Sequence, residues 1–461
     1  MADPIAGMRS HLNGVSWPAL PSGRGANLLS LLYQFDQTQW WTADRLIEHQ
    51  LRQLQSLLRH AGETVPFYQG RFATLGFTPG GTLTPGDWRA LPILTRGDIQ
   101  SAGAAMASTR LPPEYAPTIE TQTSGAVGQP VKVRATQLDV LLWEAMTLRD
   151  HLWHQRDFSG KLAVIRPMTG EAGAPPHGTD CGDWGVPASY LYATGPMALM
   201  SLNTDIATQA EWLKRKDPDY LLTFPNNLMA LIKHFSARGE RLRSLRAVRT
   251  VSEMVTPELR AACRESWNVP ITDSYSSQEL GYIALQCPQT GQYHVMSESV
   301  LVEILAADGR PCGPGETGRL VVTSLHNFAM PLIRYDLRDY AEAGAPCACG
   351  RGLPTIARIL GRSRNMVTLP DGRQHWPLVG FMAYREIAPI RQFQLTQHTR
   401  EDIEVRFVVD RPLTGDEEAR LARVIQSALG HPFRLTFTYV AGEIPRSPGG
   451  KFEEFVSKLA T

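Results

Sequence analysis

Charge of one sign is what this sequence lacks: 46 lysines and arginines face 45 aspartates and glutamates, for a formal net charge of +1. Such a chain has no global field with which to grip nucleic acid or an anionic membrane, so any phosphate must be held by a local site. Long apolar runs are missing too, none approaching the roughly 20 residues that span a bilayer, and the opening MADPIAGMRSHLNGVSWPALPSG lacks the charged-then-apolar layout of a signal peptide. A cytoplasmic protein with neither nucleic-acid nor membrane partners is expected. Cysteine is sparse, six in 461 residues, which excludes a disulfide scaffold and turns any clustering among them toward metal binding or catalysis. There is no internal repeat or low-complexity tract. The hydrophobic share, 43%, excludes disorder and suffices for a large core in two or more domains.

The first hundred residues carry a helical pattern, with Leu46, Leu51, Leu54, Leu57 and Leu58 recurring at three- and four-residue steps in a polar background. After the Gly/Pro-rich FTPGGTLTPGDW, the stretch from Leu111 to Val133 reads as strand, glycine loop and strand, ending in the alternation of Val131 and Val133. From Gly160 to Ile283 strands and helices alternate: KLAVIRP, then DIATQAEWLKRK, YLLTFP, NLMALIKHFSARG, LRAVRTV, PELRAACRESW and VPITDSYS. That alternation predicts a mostly parallel α/β sheet with helices on its faces. Two strands in SVLVEILAADGRPCGPGETGRLVVTSL open an antiparallel β subdomain. Beyond GRSRNMVTLPDGRQHWP a smaller α+β unit follows: a helix near PLVGFMAYREI, strands QFQLTQ and IEVRFVVD, helix DEEARLARVIQSAL and strand RLTFTYV. The expected boundary lies near Gly361, giving domains 1–361 and 362–461.

Four motifs could carry chemistry. The loop from Thr121 to Val131 packs hydroxyls and two glycines between strand-like flanks, so that backbone N–H groups could close around phosphate oxygens. It lacks the Gly-Lys-[Ser/Thr] ending of a Walker A loop, and alone it would also fit an ordinary hairpin turn. The segment Asp273–Gly281 (DSYSSQELG) ends an apolar strand in hydroxyls, a carboxylate and glycine, where open α/β sheets place their ligand crevice; a tyrosine face can stack on a purine and Glu279 can ligate Mg²⁺. A polar helix cap is the plain alternative. The third is PLIRYDLRD, ending at Asp339, followed by RILGR, ending at Arg362: a carboxylate suits the hydroxyls of a ribose and arginine suits phosphate, against simple surface ion pairing. The fourth is IPRSPGGK, which delivers Lys451 on a Gly/Pro-rich loop and by itself is a flexible tail.

Together, in this order and spacing, and with the N-terminal phrase HAGETVPFYQGRF, these elements resemble the adenylate-forming superfamily of acyl-CoA synthetases, adenylation domains and luciferases, and within it the phenylacetate-CoA ligase family. The resemblance covers essentially the whole chain. It implies a large N-terminal domain and a small, mobile C-terminal lid. It also implies Thr123, Ser124, Gly125 and Gly128 for the ATP phosphates, Tyr275, Ser276 and Glu279 for nucleotide and Mg²⁺, and Asp339 for the ribose. Arg362 would stand nearby, Arg364 at the hinge, and Lys451 would be the catalytic lysine. Three positions depart from the family pattern: Gln129 stands where a lysine is usual, Ser276 where glycine usually follows the tyrosine, and Arg364 where the hinge is commonly aspartate or lysine.

The cysteines add a separate signal. Cys287 and His294 in CPQTGQYH, with Cys347 and Cys349 in AGAPCACGRGLP, supply three thiolates and one imidazole, the number and softness of a closed structural zinc site. Free thiols, or a redox-active Cys-x-Cys pair, are the other readings. Cys181, Cys263 and Cys312 have no evident partner. His151 and His154, around Trp153, are given no role. Ser252, Glu253 and Trp184 are candidates for an acyl pocket, with a core or capping role as the alternative.

The expected reaction is therefore ATP-dependent activation of a carboxylic acid, aromatic by resemblance, as acyl-AMP, followed by transfer to coenzyme A. The same chemistry could end on an amine, and a non-catalytic nucleotide-binding relative is a third reading: Gln129 and Arg364 speak for it, while Glu279 and Lys451 speak against it, since simple nucleotide binding needs no mobile lysine. A homodimer is left open.

Overall fold

In the computed structural model of the chain, residues 7–78, 81, 83–122, 131–168, 170–362, 365–375, 384, 386–445 and 452–459 are described. The chain divides into two units, Met1–Leu337 with Ala341–Ile359, and Arg338–Tyr340 with Leu360–Thr461. Among the described residues no helix is long and apolar enough to cross a membrane.

The first unit begins with helices α1 (Gly23–Thr38), α2 (Ala43–Thr64), α3 (Pro66–Leu75), α4 (Pro85–Ala90) and α5 (Arg96–Ala102). In α2 the leucine pattern becomes a buried stripe of Leu46, Leu54, Leu57, Leu58 and Ala61, and Thr42 caps the helix by accepting from the Arg45 N–H. Next come the hairpin β1 (Ile119–Gln122) and β2 (Lys132–Ala135), and helix α6 (Gln137–Trp153). The predicted alternation follows from β3 (Leu162–Arg166), with two strands the sequence pattern did not mark, β4 (Thr179–Cys181) and β5 (Met197–Ser201), and then α7 (Ile206–Lys216), β6 (Tyr220–Thr223), α8 (Pro225–Ser236), β7 (Ala247–Thr250), α9 (Pro257–Trp267) and β8 (Ile271–Ser277). Helix α9 shows why the segment was legible: Thr256 caps it, Pro257 opens it and Asn268 closes it in the left-handed conformation.

Six further strands, β9 (Gly281–Gln286), β10 (Tyr293–Val295), β11 (Val300–Leu305), β12 (Thr317–Ser324), β13 (Tyr335–Ala343) and β14 (Thr355–Arg362), do not form a sheet of their own, as the expected β subdomain would. They continue the parallel sheet into one of twelve strands, ordered β11-β12-β13-β14-β10-β9-β8-β7-β6-β3-β5-β4. The join is a single strand. Through Ile271–Asp273, β8 pairs parallel with β7; from Ser274 to Ser277 it pairs antiparallel with β9. One apolar cluster packs α2 and α3 on the antiparallel half, including Leu57, Phe72, Ile283 and Val322. A second buries Trp212, Leu231, Phe235 and Trp267 of α7–α9 against β3, β5, β6 and β7.

The second unit holds the strands β15 (Val367–Thr368) and β16 (Gln374–His375), then β17 (Ile390–Gln397), β18 (Asp402–Val409), helix α10 (Gly415–Leu429), β19 (Arg434–Tyr439) and β20 (Phe455–Ser457). The last four strands form a sheet in the order β19-β18-β17-β20. Helix α10 buries Leu421, Ile425 and Leu429 at four-residue steps, and Thr414 and Glu417 form its capping box. The helix expected near PLVGFMAYREI falls largely outside the described residues.

Candidate functional site at the β8–β9 corner

Three of the residues singled out in the sequence lie where β8 gives way to β9. Ser276 faces Tyr282 across a bulge after Tyr275, and Ser277 Oγ accepts from the Leu280 N–H at 3.1 Å, closing the turn that carries Glu279. Gly281 follows at φ +74°, a left-handed value that a side chain would resist. Tyr275, Ser276 and Glu279 are all partly exposed there, at the carboxyl end of the last parallel strand. Open α/β sheets bind ligands at this position because strand ends leave backbone groups and a crevice free. The sequence reading missed Trp143 of α6. Its ring packs against Tyr282 at a 33° tilt with centroids 4.4 Å apart and stays 40% exposed beside the turn.

Beneath the corner lie two buried aspartates. Asp273 Oδ2 accepts from the Tyr293 hydroxyl at 2.6 Å and Oδ1 from Thr250 at 3.0 Å. Burial outweighs these bonds and pushes its carboxyl up to about 6. Asp150 of α6 faces cations instead: Arg156 Nη1 is 2.7 Å and Arg249 Nε 3.1 Å from Oδ2. Burial alone would raise this carboxyl, but the two guanidiniums hold it well below the usual range. Arg249 also donates to the Tyr282 hydroxyl at 2.5 Å and Arg156 to Thr272 Oγ1 at 2.7 Å. His151 and His154, to which the sequence assigned nothing, belong to this cluster. Burial keeps His154 down at about 4, with its Nε2 3.1 Å from the Gln286 carbonyl oxygen, which can only accept.

The PLIRYDLRD motif divides its labour. Arg334 is a structural pin, paired with Glu303 at 3.0 Å and donating to the Arg89 carbonyl at 2.8 Å and to that of Leu91. Asp336 lies 3.5 Å from Arg319. Asp339 and Arg362, linked only by resemblance in the sequence, come together in the second unit at 3.5 Å. The strands on either side of the glycine loop, β1 and β2, pair antiparallel, with Gln122 opposite Lys132. Thr123, Ser124, Gly125, Gly128 and Gln129, the hinge residue Arg364 and Lys451 lie outside the described residues.

Of the pocket candidates, Trp184 is buried and donates its Nε1–H to the Gly160 carbonyl at 2.8 Å, which makes it core. Glu253 accepts from the Asn226 N–H at 3.0 Å at the start of α8, and Ser252 holds φ +72°.

The four metal-ligand candidates converge. The Sγ atoms of Cys287, Cys347 and Cys349 and a ring nitrogen of His294 all lie within 4.8 Å of one another. Cys287 Sγ stands 3.8 Å from Cys347 Sγ, and Cys349 Sγ 3.3 Å from His294 Nε2. Sulfurs about 3.8 Å apart are what tetrahedral bonds of about 2.3 Å to one zinc require, whereas a disulfide needs about 2.05 Å. Two glycine turns shape the cluster, Gly291 at φ +78° and Gly350 at φ +84°. His294 Nδ1 lies 3.4 Å from the Leu353 carbonyl oxygen, which places the ring proton there and leaves Nε2 facing sulfur. Burial, helped by Arg351, holds the imidazole down at about 4, so it is neutral as a ligand must be.

No family model matches the chain. In sequence it is 25% identical over 344 residues to a phenylacetate-coenzyme A ligase of Pseudomonas putida, covering 72% of this chain and 74% of that one. A phenylacetate-coenzyme A ligase of Thermus thermophilus is 25% identical over 441 residues, 88% and 95% of the two chains. Among solved structures, 2-hydroxyisobutyryl-CoA ligase in its postadenylation state superposes with a TM-score of 0.72 at 17% identity, over 98% of this chain and 97% of that one. An anthranilate CoA ligase bound to anthranoyl-AMP gives 0.52 at 15% identity, over 72% and 64%. The chain is thus a relative of the phenylacetate-coenzyme A ligases in sequence and has the fold of the adenylate-forming CoA ligases.

Proposed function

We propose that this protein activates a carboxylic acid with ATP and passes the acyl group to coenzyme A. The observation that carries the reading is the β8–β9 corner, which presents Tyr275, Ser276 and Glu279 at the end of the parallel strands in a chain similar to phenylacetate-coenzyme A ligases along most of its length. An aromatic acid is the substrate class that those relatives favour. The acid's carboxylate attacks the α-phosphorus, acyl-AMP forms and pyrophosphate leaves; the thiol of coenzyme A then attacks the acyl carbonyl and AMP departs. In this assignment Thr123, Ser124, Gly125 and Gly128 hold the phosphates, Tyr275 and Ser276 the nucleotide, Asp339 the ribose, and Arg362 steadies Asp339. Glu279 would hold Mg²⁺, which would neutralise charge on the phosphates. Lys451 would bridge carboxylate and α-phosphate, and the small unit, pivoting at Arg364, would carry it away before the thiol arrives.

The test is ATP–pyrophosphate exchange over a panel of aryl, hydroxyaryl and aliphatic acids. Lys451→Ala is expected to lower exchange by at least about a hundredfold while ATP still binds; exchange near the wild-type rate would remove the lysine from the chemistry. Product analysis with coenzyme A and with amines decides the acceptor.

Zinc is the metal that the donor set fits, held by Cys287, His294, Cys347 and Cys349 as a closed structural site. Elemental analysis of protein purified without added metal should find about one zinc per chain. Cys349→Ser should lower thermal stability more than it alters the chemical step. Protein free of metal and equally stable would dispose of the site.

A further inference from the structure

The Cys/His cluster and β8 are joined by two hydrogen-bonded bridges that meet on one residue. Gln286, the neighbour of Cys287, uses both ends of its amide: Oε1 accepts from the Asp273 backbone N–H at 3.0 Å, and Nε2 donates to the Gly291 carbonyl at 2.8 Å. Gly291 closes the turn that starts at Cys287, through its own N–H to the Cys287 carbonyl at 3.0 Å. Tyr293, the neighbour of His294, donates to Asp273 Oδ2 at 2.6 Å. Alternation along β10 accounts for the division: His294 turns to the sulfurs on one face of the sheet, and Tyr293 to Asp273 on the other. Cys287, which follows the end of β9, and His294 of β10 therefore each have a neighbour bonded to Asp273, the residue at which β8 changes partner and two positions before Tyr275.

We propose that Asp273, Gln286 and Tyr293 are positioning residues that couple metal occupancy of the Cys287–His294–Cys347–Cys349 cluster to nucleotide affinity at the Tyr275–Glu279 segment. The inference rests on the nucleotide reading of that segment. A bound metal fixes the Cys287–Gly291 turn, the turn fixes the Gln286 amide, and the amide with the Tyr293 hydroxyl fixes the backbone and carboxylate of Asp273. The register of the bulge at Tyr275 and Ser276 follows. Such coupling is reciprocal: whatever metal adds to ATP affinity, ATP adds to metal affinity.

The experiment measures zinc affinity of the full chain by competition with a chromogenic chelator, with and without saturating Mg-ATP, and ATP affinity of the zinc-loaded and stripped protein by calorimetry. In the wild type each ligand should tighten the other by the same factor, about five- to tenfold. In Tyr293→Phe and Gln286→Met the factor should fall toward one while zinc still binds one to one; a purely structural role would lower the melting temperature and leave the factor unchanged. If Gln286→Met does not fold, Tyr293→Phe carries the comparison. A wild type that binds both ligands without coupling, or variants that keep the wild-type factor, overturn the proposal. Wild-type protein that binds zinc but no ATP removes the nucleotide reading and the coupling with it, and protein that binds ATP but no zinc overturns the coupling alone.

Discussion

Asp150 and Asp273 are both buried carboxylates beneath the same corner, and their surroundings send them in opposite directions. Two guanidiniums converge on Asp150 and keep it ionised, while Asp273 accepts from the hydroxyls of Tyr293 and Thr250, Arg260 opposes its burial only as a smaller influence, and burial lifts it to about 6. Burial alone therefore decides little; the charge of the partner decides which form of the acid the fold stabilises. The Asp150 cluster is an internally compensated brace among α6, β7, β8 and β9. Asp273 is a neutralisable joint within a strand.

The largest effect should come from removing the compensation. Asp150→Asn leaves Arg156 and Arg249 buried without their anion and is expected to cost about 3–5 kcal/mol in urea unfolding; a loss under about 1 kcal/mol would show the guanidiniums to be hydrated or paired elsewhere.

Next in size is a pH dependence. Asp273 titrates near 6 in the folded chain and near 3.9 when unfolded, so the folded state binds more protons in between. Its contribution is therefore present at low pH and fades as pH rises from about 4 to about 6, by up to about 3 kcal/mol. Asp150 acts the other way, since its folded value is depressed: its contribution is full above the unfolded value and is lost as pH falls toward the folded one. Asp273→Asn should remove the first component. Urea midpoints at pH 4, 5, 6 and 7 should move in the variant's favour, relative to wild type, as pH rises; a constant offset would mean that Asp273 does not titrate in this window. The smallest effect is Tyr282→Phe, which takes one hydroxyl from Arg249 and should cost about 1.5 kcal/mol without altering either pH component, as midpoints across the same pH series would show.

The helices on the parallel half of the sheet were legible because they carry caps and stripes within one local window, as in α7 and α9. Strands β9 and β10 went unread for a physical reason. All of β9 but Gly281 is buried, so no alternation marks it, and β10 has three residues. The four metal-ligand candidates were legible because cysteine is scarce and two glycines sit beside them in turns. The Asp150 cluster was not, since its members come from α6, the segment after it, β7 and β9. Its one local trace was the run Arg149, Asp150 and His151, buried together inside a helix. A charged run is ordinarily a solvated face, and three buried polar residues in succession signal a helix enclosed on all sides.

Because β8 lends one half of its length to each kind of pairing, the two halves of the large sheet have no seam along which to part. Opening the antiparallel half strips Ser274–Ser277 of their ladder and frays the same strand that closes the parallel half. Amides on both sides of the junction are therefore expected to exchange together, as one cooperative unit.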